Sequence, residues 1–387
     1  MDLRNLSSDL DAAGRVSERR AQVEKELNLD LQAVRIAPNQ IGQADEKNCE
    51  HMIGAVPIPV GLAGPLTMHF SSGETNTIYL PLATTEGALV ASVNRGCKAA
   101  TLAGGIHVTS EYVGITRSIA FEVPRTKNQE PTKKIRDLEN EWKKVAEDTS
   151  DHLKILSYDI DEKDGVLFLT IAADTDEAMG MNMVTIAAQA VGEFLSGTLG
   201  IPVLTVAGNV DSDKKPSART KERGRGFRVR AELTVSADII KDVLKADPLS
   251  LLKTAHAKLE VGSEVAGALG SNLHAANVIA ALYLATGQDA AHVVEGSLAD
   301  TTVQKDGDGI RIAVDLPAIL VGVRGGGTAL PAQSKCLALI LKESTALHPS
   351  KHLAEIVGAA VLAGELSLLA AQATNTLAKA HQKHARG

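Results

Sequence analysis

The pattern of this chain predicts an α+β fold in which a smaller α+β unit interrupts a larger one, and three observations lead there. Between Val113 and Val206 the hydrophobic pattern runs strand, helix, hairpin, helix, strand, the order of a split βαβ unit. No Gly-x-Gly-x-x-Gly follows a strand, so nothing indicates a Rossmann dinucleotide domain. Hydrophobic residues make up 44% and aromatics only 3%, with Ala, Gly, Val and Leu dominant, a composition suited to closely packed helices joined by short loops. At 387 residues the chain is long enough for two or three domains.

Taken in order, residues 1–37 read as a charged, amphipathic helical segment that packs on the body or on a partner subunit. Residues 38–112 open the large domain. Within them NCEHMIGAVPIPVGLAGPLTMHF is punctuated by Gly and Pro, which predicts a fixed, turning backbone rather than a helix. A short strand, Thr77 to Leu82, leads into PLATTEGALVASVNRGCKAA, read as the helix around which the rest is organised. Thr84 or Thr85 caps it, Glu86 sits in its first turn, and Leu89, Val90, Val93 and Cys97 form an apolar face. A first-turn carboxylate is also what an ordinary dipole-matched helix carries.

The inserted unit, 113–206, begins with the strand GITRSIAFEV. It continues through one charged helix (KIRDLENEWKKVAEDTSDH), a hairpin (LKILSYDIDEKDGVLFLTIAAD), a helix that stops at Gly200, and the strand IPVLTVAG. Residues 207–370 return to the large domain. Asn209 to Arg230 is a basic stretch, read either as a solvated loop with an edge strand or as a site for a small anion. Asp247 and Pro248 start a helix, and His274 to Thr286 is an apolar helix stopped by Gly287, with Asp289 just beyond. GVRGGGTAL, 322–330, can form a backbone nest. The final helices run from Lys351, and 371–387 is a tail carrying His381 and His384.

A net charge of −7 excludes non-specific binding of nucleic acid or of an anionic membrane surface. Cys49, Cys97 and Cys336 make no disulfide framework, no apolar run reaches about 20 residues, and the first residues lack a signal pattern. The expectation is a soluble cytoplasmic protein. HExxH, paired CxxC and Walker patterns are absent and the histidines are scattered, so no metal is expected.

Seven segments together resemble the 3-hydroxy-3-methylglutaryl-CoA (HMG-CoA) reductase family: IPVGLAGPL, PLATTEGALVASVNRGCKAA, EAMGMNMV, GNVDSDKKPSARTKERGRG, NLHAANVIAALYLATGQDAA, GGGTALPAQ and AKAHQKH. The DKK and GQDAA forms are similar to the eukaryotic and archaeal branch. The resemblance implies a large domain built around a central helix, an inserted ferredoxin-like domain that binds the nicotinamide cofactor, and active sites between two subunits of a homodimer or homotetramer. It implies reduction of HMG-CoA to mevalonate and CoA with two NAD(P)H, through mevaldyl-CoA hemithioacetal and mevaldehyde. The membrane anchor of eukaryotic members and the serine that follows the same tail in animal enzymes have no counterpart in the sequence.

The resemblance also assigns residues. Lys214 matches the lysine that stabilises the oxyanion, a task suited to a fixed cation in a water-poor cleft; outside the motif it would read as a surface lysine. Glu86 matches the proton donor, Asp289 is the second carboxylate and natural partner of Lys214, and His381 matches the tail histidine that protonates the CoA thiolate. Arg117, Lys215 and Lys258 fall at substrate-carboxylate positions, and Asn209, His274 and Asn277 at positions around the thioester. Asn94 and Arg95 fall where the family contacts CoA, and Met179, Gly180, Met181 and Asn182 match the cofactor motif. Ala207, Val293 and His51 depart from family residues. So does Asp151, which stands where NADPH users tend to carry an arginine for the 2′-phosphate; a carboxylate there repels phosphate and favours NADH, with His152 or Lys154 able to restore NADPH. The same residues serve mevalonate oxidation in reverse, and a non-catalytic CoA or nucleotide sensor is the alternative of a different class.

Overall fold

The computed structural model describes residues 2–123, 130–341 and 345–374. Helix α1 (Ala12–Leu27) is capped by Asp11, whose carboxylate accepts from the Gly14 amide, and it closes on Asn28 in the left-handed region. Val16 packs with Ile41, Ala44 and Met52, and Arg15 meets Asp45 at 2.8 Å, so the N-terminal helix is fastened to its own chain.

Nine strands follow among the described residues: β1 (Val60–His69), β2 (Thr75–Ala83), β3 (Ile106–Glu122), β4 (Lys154–Lys163), β5 (Val166–Asp174), β6 (Val203–Thr205), β7 (Gly226–Val235), β8 (Asp300–Asp306) and β9 (Gly309–Ile319). They form two sheets that share β3. Its first half pairs in parallel with β1 and antiparallel with β7, within the order β2-β1-β3-β7-β9-β8. Its second half pairs antiparallel with β5 and β6, and β4 adds to β5. The register with β7 shifts between Tyr112 and Gly114, where Gly114 takes φ 86° and the strand passes from one sheet to the other.

Six further helices carry the argument: α2 (Leu89–Leu102), α3 (Glu139–Glu147), α4 (Met181–Leu199), α5 (Ala275–Thr286), α6 (Pro331–Ile340) and α7 (Pro349–Ala373). The centre of the larger core is α7, not the helix near Glu86. Twenty of its 25 residues are buried, so every face is covered by protein. It is long and apolar enough to match a membrane span, a property hidden in the sequence because Glu355 and Glu365 interrupt the apolar run. Both carboxylates are fully buried and well partnered. Glu355 accepts from the Ser71 amide (3.0 Å) and from the hydroxyls of Ser71 (2.5 Å) and Ser110 (2.6 Å). Helix α2 crosses α7 so closely that a Cβ at Gly96 would lie 1.9 Å from the Ala363 carbonyl oxygen.

A second core gathers Ile119, Phe121, Trp142, Leu167, Leu169, Val184, Val191 and Leu195 between the β4-β5-β3-β6 sheet and helices α3 and α4. The hairpin, α4 with its Gly200 stop and the Asp247-Pro248 helix start lie where their sequence signals place them. Five expectations are corrected. The Gly/Pro stretch is in large part strand β1, bent by a bulge between Ala63 and Leu66 at the cis Gly64–Pro65 bond. The charged helix is broken at Leu138 into Glu130–Asp137 and α3. The strand after Gly200 shortens to three residues. The basic stretch contains the helix Ala218–Arg223 and the start of β7, an interior strand rather than an edge. Glu86 precedes α2: the helix begins at Leu89 after Ala88 (φ 71°), and the Thr84 hydroxyl instead accepts from the Glu86 amide in a turn.

Candidate active site

Two groups of the expected residues meet within one chain, at the two ends of α5. At its start, the Asn277 amide donates to Glu86 Oε1 at 3.1 Å, and Glu86 is exposed. The start itself is held by Glu365 of α7, whose oxygens accept from the amides of Leu273 and His274, each at 2.8 Å, and from the Thr301 hydroxyl at 2.6 Å. This fixes the first turn and with it the direction of Asn277. The buried His274 Nε2 has no hydrogen-bond partner and lies beside Gly364.

Beyond the other end, Lys214 Nζ meets Asp289 Oδ2 at 2.7 Å, with both side chains partly open to solvent. Asp289 also accepts from the Ala291 amide at 3.0 Å. Burial raises the tendency of its carboxyl to hold a proton. The Lys214 hydrogen bond, the Ala291 amide and the nearby His292 outweigh that, and the group titrates below the ordinary aspartate range. Gly287 makes the turn possible: it takes φ 72°, and a Cβ there would lie 2.3 Å from the Gly327 carbonyl oxygen. The glycines of 325–327 thus pack against the turn that carries Asp289, a structural task besides any anion nest.

Lys214 stands in the left-handed region (φ 57°), and its amide donates to Glu295 Oε1 at 2.7 Å. Behind the pair is a buried network that sequence reasoning did not single out. The Arg225 guanidinium, 1% exposed, reaches Asp213 and Glu295 at 2.9 Å each, Thr116 Oγ1 at 3.0 Å and the Met181 sulfur at 3.0 Å. His292 Nδ1 lies 3.2 Å from Glu295 Oε1. The signal available was the Arg225 side chain inside a motif already recognised, but nothing local in an eight-cation stretch distinguishes the buried one. Asp213, His292 and Glu295 have ligand atoms within 4.8 Å of one another, yet the guanidinium already supplies the cation that this group of acids needs.

Arg117 faces Asp211 and Asp213 at 3.4 Å each, and its Nε is buried without a partner, free for an acceptor. Lys215 Nζ donates to the Asp213 carbonyl, and Asn209 (φ 65°) is exposed in the same loop. Lys258 lies on the π-helical stretch His256–Gly262 and lines an open groove with Lys253, Ser263 and Asn272. Asn94 is exposed and Arg95 half-buried, and both already have partners in the chain. Asn94 accepts from the Gly64 amide at 3.0 Å, and Arg95 donates to the Ser367 hydroxyl (3.0 Å) and carbonyl (2.7 Å), tying α2 to α7. His381 lies outside the described residues, as does His384.

Gly180 (φ 92°) is the N-cap of α4, whose first turn has no side-chain cap, and a Cβ there would lie 2.3 Å from the Thr175 side chain. Asn182 is exposed in that turn, while Met179 packs on the second core. The Gly322 amide donates to Gln288 at 2.9 Å, and a Cβ at Gly322 would lie 2.2 Å from the Met179 nitrogen, so the cofactor motif is held against the neighbour of Asp289. Asp151 is exposed and borders a cavity of about 410 Å³ with Tyr112, His152, Lys154, Asp174, Asp176, His348 and Lys351. Asp176 joins His152 (2.7 Å) and His348 (3.0 Å) there.

Residues 15–386 match the hydroxymethylglutaryl-coenzyme A reductase family. The chain is 39% identical to the 3-hydroxy-3-methylglutaryl-coenzyme A reductase of Methanothermobacter thermautotrophicus, over 95% of this chain and 93% of that protein. With its Methanocaldococcus jannaschii counterpart the identity is 41%, over 95% and 92%. The chain belongs to the HMG-CoA reductase family. Within it, this reductase lies with archaeal proteins and with Dictyostelium discoideum reductase 1 (38% identity), as the DKK and GQDAA forms indicate. The class II HMG-CoA reductase of Streptococcus pneumoniae, in a structure bound to NADPH, is only 18% identical but has the same fold, with a TM-score of 0.65 over 92% of this chain and 96% of that one. The family fold is α+β and non-Rossmann, and the family activity is that of an oxidoreductase that uses a nicotinamide dinucleotide.

Proposed function

We propose that this reductase converts HMG-CoA to mevalonate and CoA with two hydrides, in active sites assembled from two copies of the chain. The observation that carries the second half of this reading is the length of α5. Asn277 and Thr286 are nine residues apart in one helix, a rise of about 14 Å, so Glu86–Asn277 and Lys214–Asp289 stand at opposite ends of a rigid rod. One thioester carbonyl does not reach both groups of a single chain. A two-fold pairing that brings the α5 start of one protomer to the Lys214 loop of its partner supplies all of them at once.

In that site Lys214, paired with Asp289, stabilises the negative charge that grows on the thioester oxygen as hydride arrives. Glu86, oriented by Asn277, is the proton donor, and Asp289 approaching from the other copy is the second carboxylate of the site. Arg117, with its unpartnered Nε, and Lys215 face the substrate carboxylate; Lys258, Asn209 and His274 complete the set. His381 delivers the proton to the CoA thiolate. Asn94 and Arg95 act at the CoA site, Asn94 from the exposed side of α2 beside β1 and Arg95 through the α2–α7 contact it holds.

A nicotinamide dinucleotide bound to 113–206 supplies the hydride. The uncapped first turn of α4 with Gly180 at its head fits a pyrophosphate, and Met179, Met181 and Asn182 frame it. Asp151 at the rim of the adjoining cavity favours ribose hydroxyls over a 2′-phosphate, hence NADH. The large domain comprises 38–112 and 207–370, and the protein acts in the cytoplasm. Loss of nicotinamide absorbance with HMG-CoA present, in the parent and in Lys214→Ala, is the test; undiminished turnover in the variant refutes the site.

A further inference from the structure

Among the described residues, the chemistry above leaves the buried imidazole of His292 unused. His292 is wholly buried, its Nδ1 anchored 3.2 Å from Glu295 Oε1. Its Nε2 has no hydrogen-bond partner and faces Asp289 Oδ2 at 3.8 Å, the oxygen that Lys214 Nζ contacts at 2.7 Å. The charged and titratable groups around it are Asp213, Arg225, Glu295, Tyr283, Asp289 and Lys214. Glu295 is pinned in turn by Arg225 and by the Lys214 amide, so the imidazole cannot swing away without breaking that arrangement.

We propose that His292 is a positioning residue that acts through Asp289, presenting Nε2 to the inner side of its carboxylate and keeping that carboxylate ionised and turned toward Lys214. The inference rests on the Lys214–Asp289 site described above. In the resting chain the 3.8 Å gap is longer than a hydrogen bond. When Lys214 moves toward a substrate oxygen its hold on Asp289 weakens, and a shift of less than about 1 Å brings Oδ2 within hydrogen-bond distance of Nε2, which donates to it from the imidazolium while Nδ1 donates to Glu295. The carboxylate then keeps a buried partner throughout the reaction instead of taking a proton from Lys214. The charge of His292 is among the causes that hold Asp289 below its ordinary range, so losing it moves Asp289 upward.

The test is steady-state kinetics of the intact oligomer across the acid and neutral range, for the parent, His292→Leu, His292→Gln and Lys214→Ala. His292→Leu is expected to lower kcat about tenfold or more while KM for HMG-CoA changes less than about twofold, because the residue does not touch substrate. Glutamine restores an uncharged donor, so His292→Gln recovers most of kcat near neutrality, yet its acid limb still moves to higher pH. An acid limb unmoved in His292→Gln overturns the proposal, even if the leucine variant does not fold. Activity retained in Lys214→Ala refutes the site itself; an inactive Lys214→Ala beside parent-like His292 variants refutes only the role of His292.

Discussion

Two half-sites on one helix predict a specific pattern of complementation. Co-expressing Glu86→Gln and Lys214→Ala chains in equal amounts gives homodimers of each kind and, by random pairing, about half heterodimers. In a heterodimer with the proposed shared site, one site receives both defects and the other receives neither, because Glu86 would come from one protomer and Lys214 from its partner. About a quarter of all sites are then intact, and kcat per site recovers to about a quarter of the parental value. Each variant alone retains on the order of one part in 10²–10³, the usual cost of losing one such group, so the signal stands far above background.

The control comes from the same distances. Lys214 and Asp289 meet at 2.7 Å within one chain, and so do Asn277 and Glu86 at 3.1 Å. A pair of chains carrying Lys214→Ala and Asp289→Ala therefore spoils both sites of every heterodimer and gives no recovery, as does Glu86→Gln with Asn277→Ala. The assay is nicotinamide oxidation on purified mixtures, with tags that isolate the heterodimer. Residual-level activity in the Glu86→Gln/Lys214→Ala heterodimer, or recovery in the Lys214→Ala/Asp289→Ala one, refutes the shared site.

Asp151→Arg is expected to raise kcat/KM for NADPH relative to NADH by about tenfold or more, read from the two cofactors side by side; no change in the ratio removes Asp151 from cofactor choice. Arg225→Leu leaves the buried Glu295 and the half-buried Asp213 without their guanidinium and is expected to cost about 3–5 kcal/mol in denaturant unfolding. Burial pushes both carboxyls up, but Arg225 and His292 leave them below their ordinary range, so their stabilisation is present above that range and is lost as pH falls. In Arg225→Leu acid unfolding accordingly begins at higher pH, and a parental acid midpoint argues against the network. Glu365→Ala leaves two amides and a hydroxyl without their acceptor and is expected to cost at least about 3 kcal/mol.

What the sequence makes legible is local. A glycine stop, an Asp-Pro start and a polar turn between alternating strands each act within a few residues, and Gly200, Gly287, Asp247 and the β4–β5 hairpin behave accordingly. The cluster around Arg225 is different. Asp213, Arg225, His292 and Glu295 come from two segments about 70 residues apart, and each alone reads as an ordinary surface charge. Central α7 was hidden for a related reason. Buried carboxylates inside a helix look like solvent-facing positions until the amides of 273 and 274 and the hydroxyls of Ser71 and Ser110 are seen to satisfy them.

The same limit explains why the site was easier to populate than to arrange. The segment from His274 to Asp289 reads as one motif, and a motif invites the inference of one location. A helix defeats that inference, because residues three or four apart share a face whereas residues twelve apart are separated by more than three turns. Asn277 lies in the first turn of α5 and Asp289 three residues past its last residue, Thr286, so in the proposed dimer one uninterrupted stretch of sequence serves two active sites, one at each end of α5. A perturbation confined to either end alters one half of every site, as the complementation pairs require. A break in the middle, such as Ala281→Pro, displaces both halves and is not rescued by any single partner variant.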